Sequence, residues 1–412
     1  MAQGDGSKGM NFGEAAGRIS RLLELEHLGF IATVISHWHA MGADAWVGRL
    51  RSQGERRKGV LLILPHLGKG LLVDEEHLPL CRGDGAVVFL RARRILDCPG
   101  LRRVLDVGRM AFLLVRLWLL APRARRRRNL PVLRVASPYH PGAAVFTLAQ
   151  ISTWKLLRTR DVRLVTLDEG LSTYASRESW DFARKMDRTD EGRIFTTDWL
   201  DCLAYLLWTW AFRAVVRAYP VESRLLFSRD GTTGAIALDA DVAADYRQAI
   251  RTAVGEKVLL PRSSDRPIAL ILSQPWVEDG FLPGPQTLDL LKSVVRRLLA
   301  EGLDVCLKPH PREVPGKYDC IAEAAGGRVR ILGKGQAAER ILSQMRGDDI
   351  VIGGNSTSLT TASLMFSLPT YSLGDAIARK SWATERFRTL QRDFSALVGQ
   401  SVRDFRERFG AE

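Results

Sequence analysis

Short apolar runs separated by amphipathic stretches recur along the chain. In the first half, Phe30–Ser36, Val60–Leu64, Ala86–Leu90, Val132–Ala136 and Arg163–Leu167 are rich in Val, Ile and Leu without strict polar alternation. Strands buried on both faces of a parallel sheet look like this, because helices cover each side. The second half repeats the rhythm, with Ile268–Ser273, Val305–Leu307, Val329–Leu332, Ile350–Ile352 and Thr370–Ser372 as strands. Thr287–Ala300, Ala337–Met345 and Ser358–Phe366 read as helices, the first with Leu288, Leu291, Val295 and Leu298 on one stripe. Ala143–Leu157 is an amphipathic segment of the first half. Strand–helix–strand alternation predicts an α/β fold with parallel sheets and right-handed crossovers.

The expected order is a flexible N-terminus (1–25), a Rossmann-like domain with helical insertions (26–255), and a polar linker (256–266). A second Rossmann-like domain (267–385) and a C-terminal helical segment (386–412) follow. Two such domains are expected to face a central cleft, with ligands beyond the carboxyl ends of the strands.

Two greasier stretches, 110–121 and 202–212, fall short of the roughly 20 apolar residues that cross a bilayer. Each has the length of a buried core helix. The first also suits an interfacial helix, with Trp118 at headgroup depth and Arg123 and Arg125–Arg128 on anionic lipid.

The 412-residue chain carries a net charge of +14, which favours anionic partners: nucleotide sugars, an anionic membrane surface or nucleic acid. No nucleic-acid recognition module surrounds the basic cluster, so no specific nucleic-acid partner is expected. The five cysteines show no paired spacing, which suits a reducing compartment. The first residues lack the apolar core of a secretory signal, and a cytoplasmic location is expected.

Chemistry concentrates at strand ends. Arg163–Leu167 runs into Asp168, Glu169 and Gly170, two acids able to take a hydroxyl proton, or simply a polar turn. Val305–Leu307 runs into Lys308, Pro309, His310, Pro311 and Arg312. The prolines hold His310 on a stiff corner between cations, a cluster suited to phosphate and to protonating a leaving group. Ile350–Ile352 runs into Gly353, Gly354, Asn355, Ser356, Thr357 and Ser358, where hydroxyls and helix N–H groups either cap the helix or hold an anion. Gln274, after Ile268–Ser273, also points to the cleft by the strand-end rule.

Other groupings are weaker. Asp239 and Asp241 have a metal-binding spacing but open a helical run, where acids cap. His37 and His39 lack a third ligand, so a metal is not expected there. No metal and no cofactor are expected.

The order of the three segments, Asp168-Glu169-Gly170, His310-Pro311 and Ser356-Thr357, resembles the bacterial sialyltransferases. That group includes lipooligosaccharide sialyltransferases and capsule polysialyltransferases. Its hallmarks are an acidic-acidic-Gly motif, an HP motif and a Ser-Ser/Thr motif on a GT-B fold. The resemblance implies a CMP-activated acidic sugar as donor and a glycan or lipid-linked glycan as acceptor. It makes 26–255 the acceptor-side domain, with His37, His39 and Gly170 on that side, and 267–385 the nucleotide-sugar-binding domain. It also implies a place peripheral to the inner face of a bacterial inner membrane. It implies transfer with inversion and without an obligatory metal. Asp168 becomes the general base, with Glu169 beside it. His310 assists CMP departure, and Ser356, Thr357 and Ser358 hold CMP. Gly354, Asn355, Pro311, Lys308, Arg312 and Gln274 complete the expected donor contacts. Alternatives are a related HP-motif transferase using CMP-Kdo or CDP-glycerol, and a non-catalytic membrane-associated scaffold of polysaccharide export.

Overall fold

The structure is a computed structural model that describes residues 18, 28–34, 37–63, 78–91, 132–138, 161–167, 174, 221–229, 234–257, 259–262, 264–333 and 336–410. The chain divides into two compact units, each with its own six-stranded sheet.

The first sheet contains β1 (Phe30–Val34), β2 (Gly59–Ile63), β3 (Val87–Arg91), β4 (Val132–Pro138), β5 (Asp161–Leu167) and β6 (Val221–Arg224). They lie in the order β3-β2-β1-β4-β5-β6, every pair parallel. All of β2 is buried, as an unbroken GVLLI run requires. Helix α1 (His37–Ser52) sets Trp46, Val47 and Leu50 against Phe30 and Leu61. The Phe30 and Trp46 rings meet edge to face at 5.5 Å. Asp44 on the same helix is buried, and it accepts the N–H groups of Cys81 at 2.9 Å and Leu80 at 3.2 Å. A buried carboxylate thereby satisfies otherwise orphaned donors in the short helix α2 (Pro79–Gly83).

A small antiparallel hairpin, β7 (Phe227–Arg229) and β8 (Ile236–Leu238), belongs to the second unit. Helix α3 (Ala240–Val254) follows it, with residues 244–253 assigned to the first unit. Asp239 accepts the Val242 N–H at 2.9 Å, so this acid caps the helix.

The second sheet contains β9 (Ile268–Leu272), β10 (Asp304–Lys308), β11 (Val329–Ile331), β12 (Ile350–Gly353), β13 (Thr370–Ser372) and β14 (Arg403–Asp404). Its order, β11-β10-β9-β12-β13-β14, is again wholly parallel and repeats the connectivity of the first. This is the doubly wound Rossmann order, and the fold is α/β and GT-B-like, with two Rossmann-type domains. Helix α4 (Gly284–Ala300) contributes Leu291, Val294, Val295 and Leu298 to a core shared with Ile271, Leu307 and Ile352.

Two local features lacked a pattern signal. The residues 403–404, within the segment expected to be helical, form the edge strand β14 through backbone pairing with Tyr371 and Ser372. A two-residue polar strand has no apolar period to reveal it. The stretch at 256–266 is fastened to the second unit. Gln344 Oε1 accepts from Leu259 and Leu260, and Arg262 pairs with the buried Asp349.

Among the described residues, no helix is long and apolar enough to cross a membrane. The stretches 110–121 and 202–212 and the segment 143–157 lie outside the described residues.

Candidate active site

Three adjacent strands of the second sheet end at one level. Leu272, last in β9, pairs with Lys308, last in β10, on one side and Gly353, last in β12, on the other. Neighbouring strands lie about 4.8 Å apart, so three loops leave the same edge side by side. They are Ser273-Gln274, Pro309-His310-Pro311 and Gly354-Asn355-Ser356. The β9/β12 boundary is also where the strand order reverses, the place where doubly wound sheets bind ligands.

His310 opens a tight turn. Glu313 donates its N–H to the His310 carbonyl at 3.0 Å, with Pro311 at the second turn position, where its fixed φ suits the bend. Arg312 donates its N–H to His310 Nδ1 at 3.2 Å. A neutral imidazole then carries its proton on Nε2 and presents that nitrogen as a donor. The buried Glu313 carboxylate accepts the His310 N–H at 2.7 Å and the Lys317 ammonium at 2.9 Å. It also accepts the hydroxyls of Ser273 and Tyr318. Burial, reinforced by the Glu313 charge, pushes the Tyr318 phenol well above its ordinary range, which keeps it a donor.

The cations flanking His310 have separate surroundings. Lys308 is buried and donates to the Pro309 carbonyl at 3.1 Å. Arg312 is exposed and pairs with Asp279 at 2.7 Å. His310 itself is half-buried, as are Pro311 and Gln274.

The third loop rests on Trp276. A Cβ at Gly354 would lie 1.8 Å from the indole Cζ2, so only glycine fits there. The indole N–H donates to Asn355 Oδ1 at 3.1 Å, and the ring meets Phe387 edge to face at 5.4 Å. Asn355 Nδ2 is buried and has no hydrogen-bond partner among the described residues. Ser356 caps helix α5 (Thr357–Leu364), its hydroxyl accepting the Ser358 N–H at 3.2 Å. Ser358 Oγ in turn donates to Glu339 Oε1 at 2.7 Å. Burial raises the Glu339 carboxyl above its usual range, opposed by the Ser358 bond and the Lys308 charge. Glu339 is thus bonded to the first turn of α5 and lies within electrostatic reach of Lys308 at the end of β10. Thr357 starts the helix, where the peptide dipoles favour an anion.

The structure thus brings Gln274, Lys308, His310, Pro311, Arg312, Gly354, Asn355, Ser356, Thr357 and Ser358 to one end of one sheet. Asp168, Glu169 and Gly170 follow β5 in sequence and lie outside the described residues. His37 and His39 open α1 in the first unit, with His37 half-buried and His39 buried. Among the described residues, no group of three His, Cys, Asp or Glu side chains is placed to hold a metal ion.

Sequence reasoning missed Ser273, Trp276, Glu313 and Glu339. Glu313 had a local signal, since a Glu three residues on that reaches back to an N–H is the spacing of a capping box. Trp276 and Glu339 had none, because their partners Asn355 and Ser358 are distant in sequence.

A model of the Alpha-2,8-polysialyltransferase (POLYST) family matches residues 153–375. No curated protein matches the chain. Similar solved structures include an alpha/beta-galactoside alpha-2,3-sialyltransferase from Photobacterium phosphoreum. It is 12% identical with a TM-score of 0.42, over 92% of this chain and 98% of that one. A 2,6-sialyltransferase of Photobacterium sp. JT-ISH-224, solved with CMP and lactose, is 11% identical with a TM-score of 0.46, over 91% and 78%. The ADP-heptose LPS heptosyltransferase II of E. coli is 9% identical with a TM-score of 0.34, over 83% of each chain. The family match covers more than half of the sequence and takes in all three motif segments, so this chain belongs to the alpha-2,8-polysialyltransferase family.

Proposed function

We propose that this glycosyltransferase moves sialic acid from CMP-sialic acid to a glycan hydroxyl, with inversion and without a metal. Family membership supports the sugar, and the second sheet supports the donor. The carrying observation is the His310 turn, whose Nδ1 acceptor bond leaves Nε2–H as the donating edge of the neutral ring.

When the bond from sugar to phosphate breaks, its electron pair leaves with CMP and negative charge grows on the phosphate oxygen. A preorganised donor and helix dipoles at that oxygen stabilise the transition state more than the ground state. His310 supplies the donor. Thr357 and the first turn of α5 supply the dipoles, with Ser356, Asn355 and Gly354 shaping the loop. Lys308 adds positive charge from within the unit, and Gln274 contacts the nucleotide. Asp168 takes the proton of the attacking hydroxyl, with Glu169 sustaining its charge. His37, His39 and Gly170 serve the acceptor. The acceptor is a cell-surface glycan or its lipid-linked precursor, met at a membrane by the Arg-rich segment at 123–128.

The test incubates purified enzyme with CMP-sialic acid, CMP-Kdo or CDP-glycerol and candidate glycans, with and without EDTA. Mass spectrometry and product anomeric configuration are read. Sialylated, inverted product insensitive to EDTA is expected, and Asp168→Ala should abolish it while sparing CMP binding. Transfer only from CMP-Kdo or CDP-glycerol would replace the donor. Absence of both CMP binding and turnover would leave a scaffold. Retention on anionic vesicles should fall when the Arg123–Arg128 charges are reversed.

A further inference from the structure

We propose that Glu313 is a positioning residue that sets the imidazole of His310 against the departing phosphate. The proposal rests on the role assigned to His310 above, and it concerns a side chain that no motif of that reading includes.

A fully buried carboxylate is costly unless donors surround it. The Glu313 side chain is 0% exposed. Its donors converge from separate places: Ser273 beyond β9, His310 at the start of the turn, and Lys317 and Tyr318 beyond the turn. Residue 313 grips residue 310 at both backbone ends. The carboxylate takes the His310 N–H at 2.7 Å, and the Glu313 N–H closes on the His310 carbonyl at 3.0 Å. Ser273 Oγ, itself bound to the carboxylate, lies 3.1 Å from the same His310 nitrogen. The Arg312 N–H then orients the ring through Nδ1. The backbone of residue 310 and the ring are therefore fixed by separate bonds, and Glu313 supplies the first set. Lys317 lies against the carboxylate and compensates its charge.

Glu313→Gln keeps the shape but turns an amide NH2 toward donors that need an acceptor. A purely architectural role would weaken the fold and leave any activity loss independent of His310. A positioning role acts through His310 and vanishes when that side chain is gone.

The experiment measures kcat and donor KM with CMP-sialic acid for the wild type, Glu313→Gln, His310→Ala and the double variant. Misplacing a catalytic group by about 1 Å costs about 100-fold, so Glu313→Gln should lower kcat by about 10- to 100-fold. Donor KM should stay within about threefold, since uniform binding is not what is lost. The double variant should turn over no more slowly than His310→Ala alone. Multiplying losses in the double variant, or an unchanged kcat in Glu313→Gln, would overturn the proposal. Full turnover by His310→Ala would overturn the role of His310 instead. If thermal melting shows Glu313→Gln to be unfolded, Ser273→Ala replaces it, because that hydroxyl touches both residues. The same non-additivity with His310→Ala is expected, and additive losses would refute it.

Discussion

Arg312 donates its backbone N–H to Nδ1 of His310 at 3.2 Å, and this bond decides which ring nitrogen of a neutral imidazole carries the proton. Pro311 bends the chain so that residue 312 can reach back to the ring. Pro311 therefore does more than stiffen a corner: it brings the Arg312 N–H to the ring nitrogen that it fixes as an acceptor.

His310→Ala should lower kcat for CMP release by about 10²- to 10⁴-fold, the usual worth of a general acid. His310→Gln should recover part of that loss, since its amide N–H can stand near the Nε2 position. Both are read by CMP release at saturating donor. Equal activity of the two variants would argue that no donor is needed at that place.

Trp276→Phe keeps the aromatic core contact with Phe387 but deletes the N–H that holds Asn355 Oδ1. Losing one part-buried hydrogen bond costs about 0.5–1.5 kcal/mol, and the variant should lose stability of that order in urea denaturation. CMP titration should show weaker binding, because the Gly354–Asn355 loop loses its support. Unaltered CMP affinity would separate this loop from the nucleotide.

Glu339 gives a pH signature. Its carboxyl is raised from the ordinary 4.5 by burial, so the folded state holds its proton more tightly than the unfolded chain. Its contribution to stability is complete below the ordinary value and declines as pH rises through the raised one. Denaturation at pH 4 to 8 should show Glu339→Gln gaining on the wild type as pH increases across that window. A constant difference would mean that the carboxyl is not raised.

Thiol reactivity should rank by burial. Burial first, and the Asp44 charge second, push the Cys81 thiol well up, while burial pushes Cys306 up to about 11. Both are buried and Cys320 is exposed. A thiol reagent at neutral pH should modify Cys320 in the native protein and reach Cys81 and Cys306 only on unfolding, as read by peptide mass spectrometry. Rapid native labelling of Cys306 would contradict its burial.

The strands β1, β2, β9, β10 and β12 were legible because burial on both faces leaves unbroken Val, Ile and Leu runs in the sequence. The His310 corner was legible because proline and turn chemistry act within four residues. The edge strand β14 was not, since its two polar residues are held by backbone bonds to Tyr371 and Ser372. Lys308 and Arg312 are neighbours of His310 in the sequence, and only the fold shows their surroundings: Lys308 is buried within electrostatic reach of Glu339, and Arg312 pairs with Asp279.

By itself the sequence determined the α/β rhythm and the loops that follow β9, β10 and β12. These depend on neighbours in the chain: burial period, fixed proline φ and helix capping. Tertiary structure decided that Leu272, Lys308 and Gly353 stand level, that Trp276 holds Asn355, and that Glu313 gathers donors from Ser273 to Tyr318. Those relations join residues far apart in the sequence, and only the strand order of the sheet brings them within hydrogen-bonding reach.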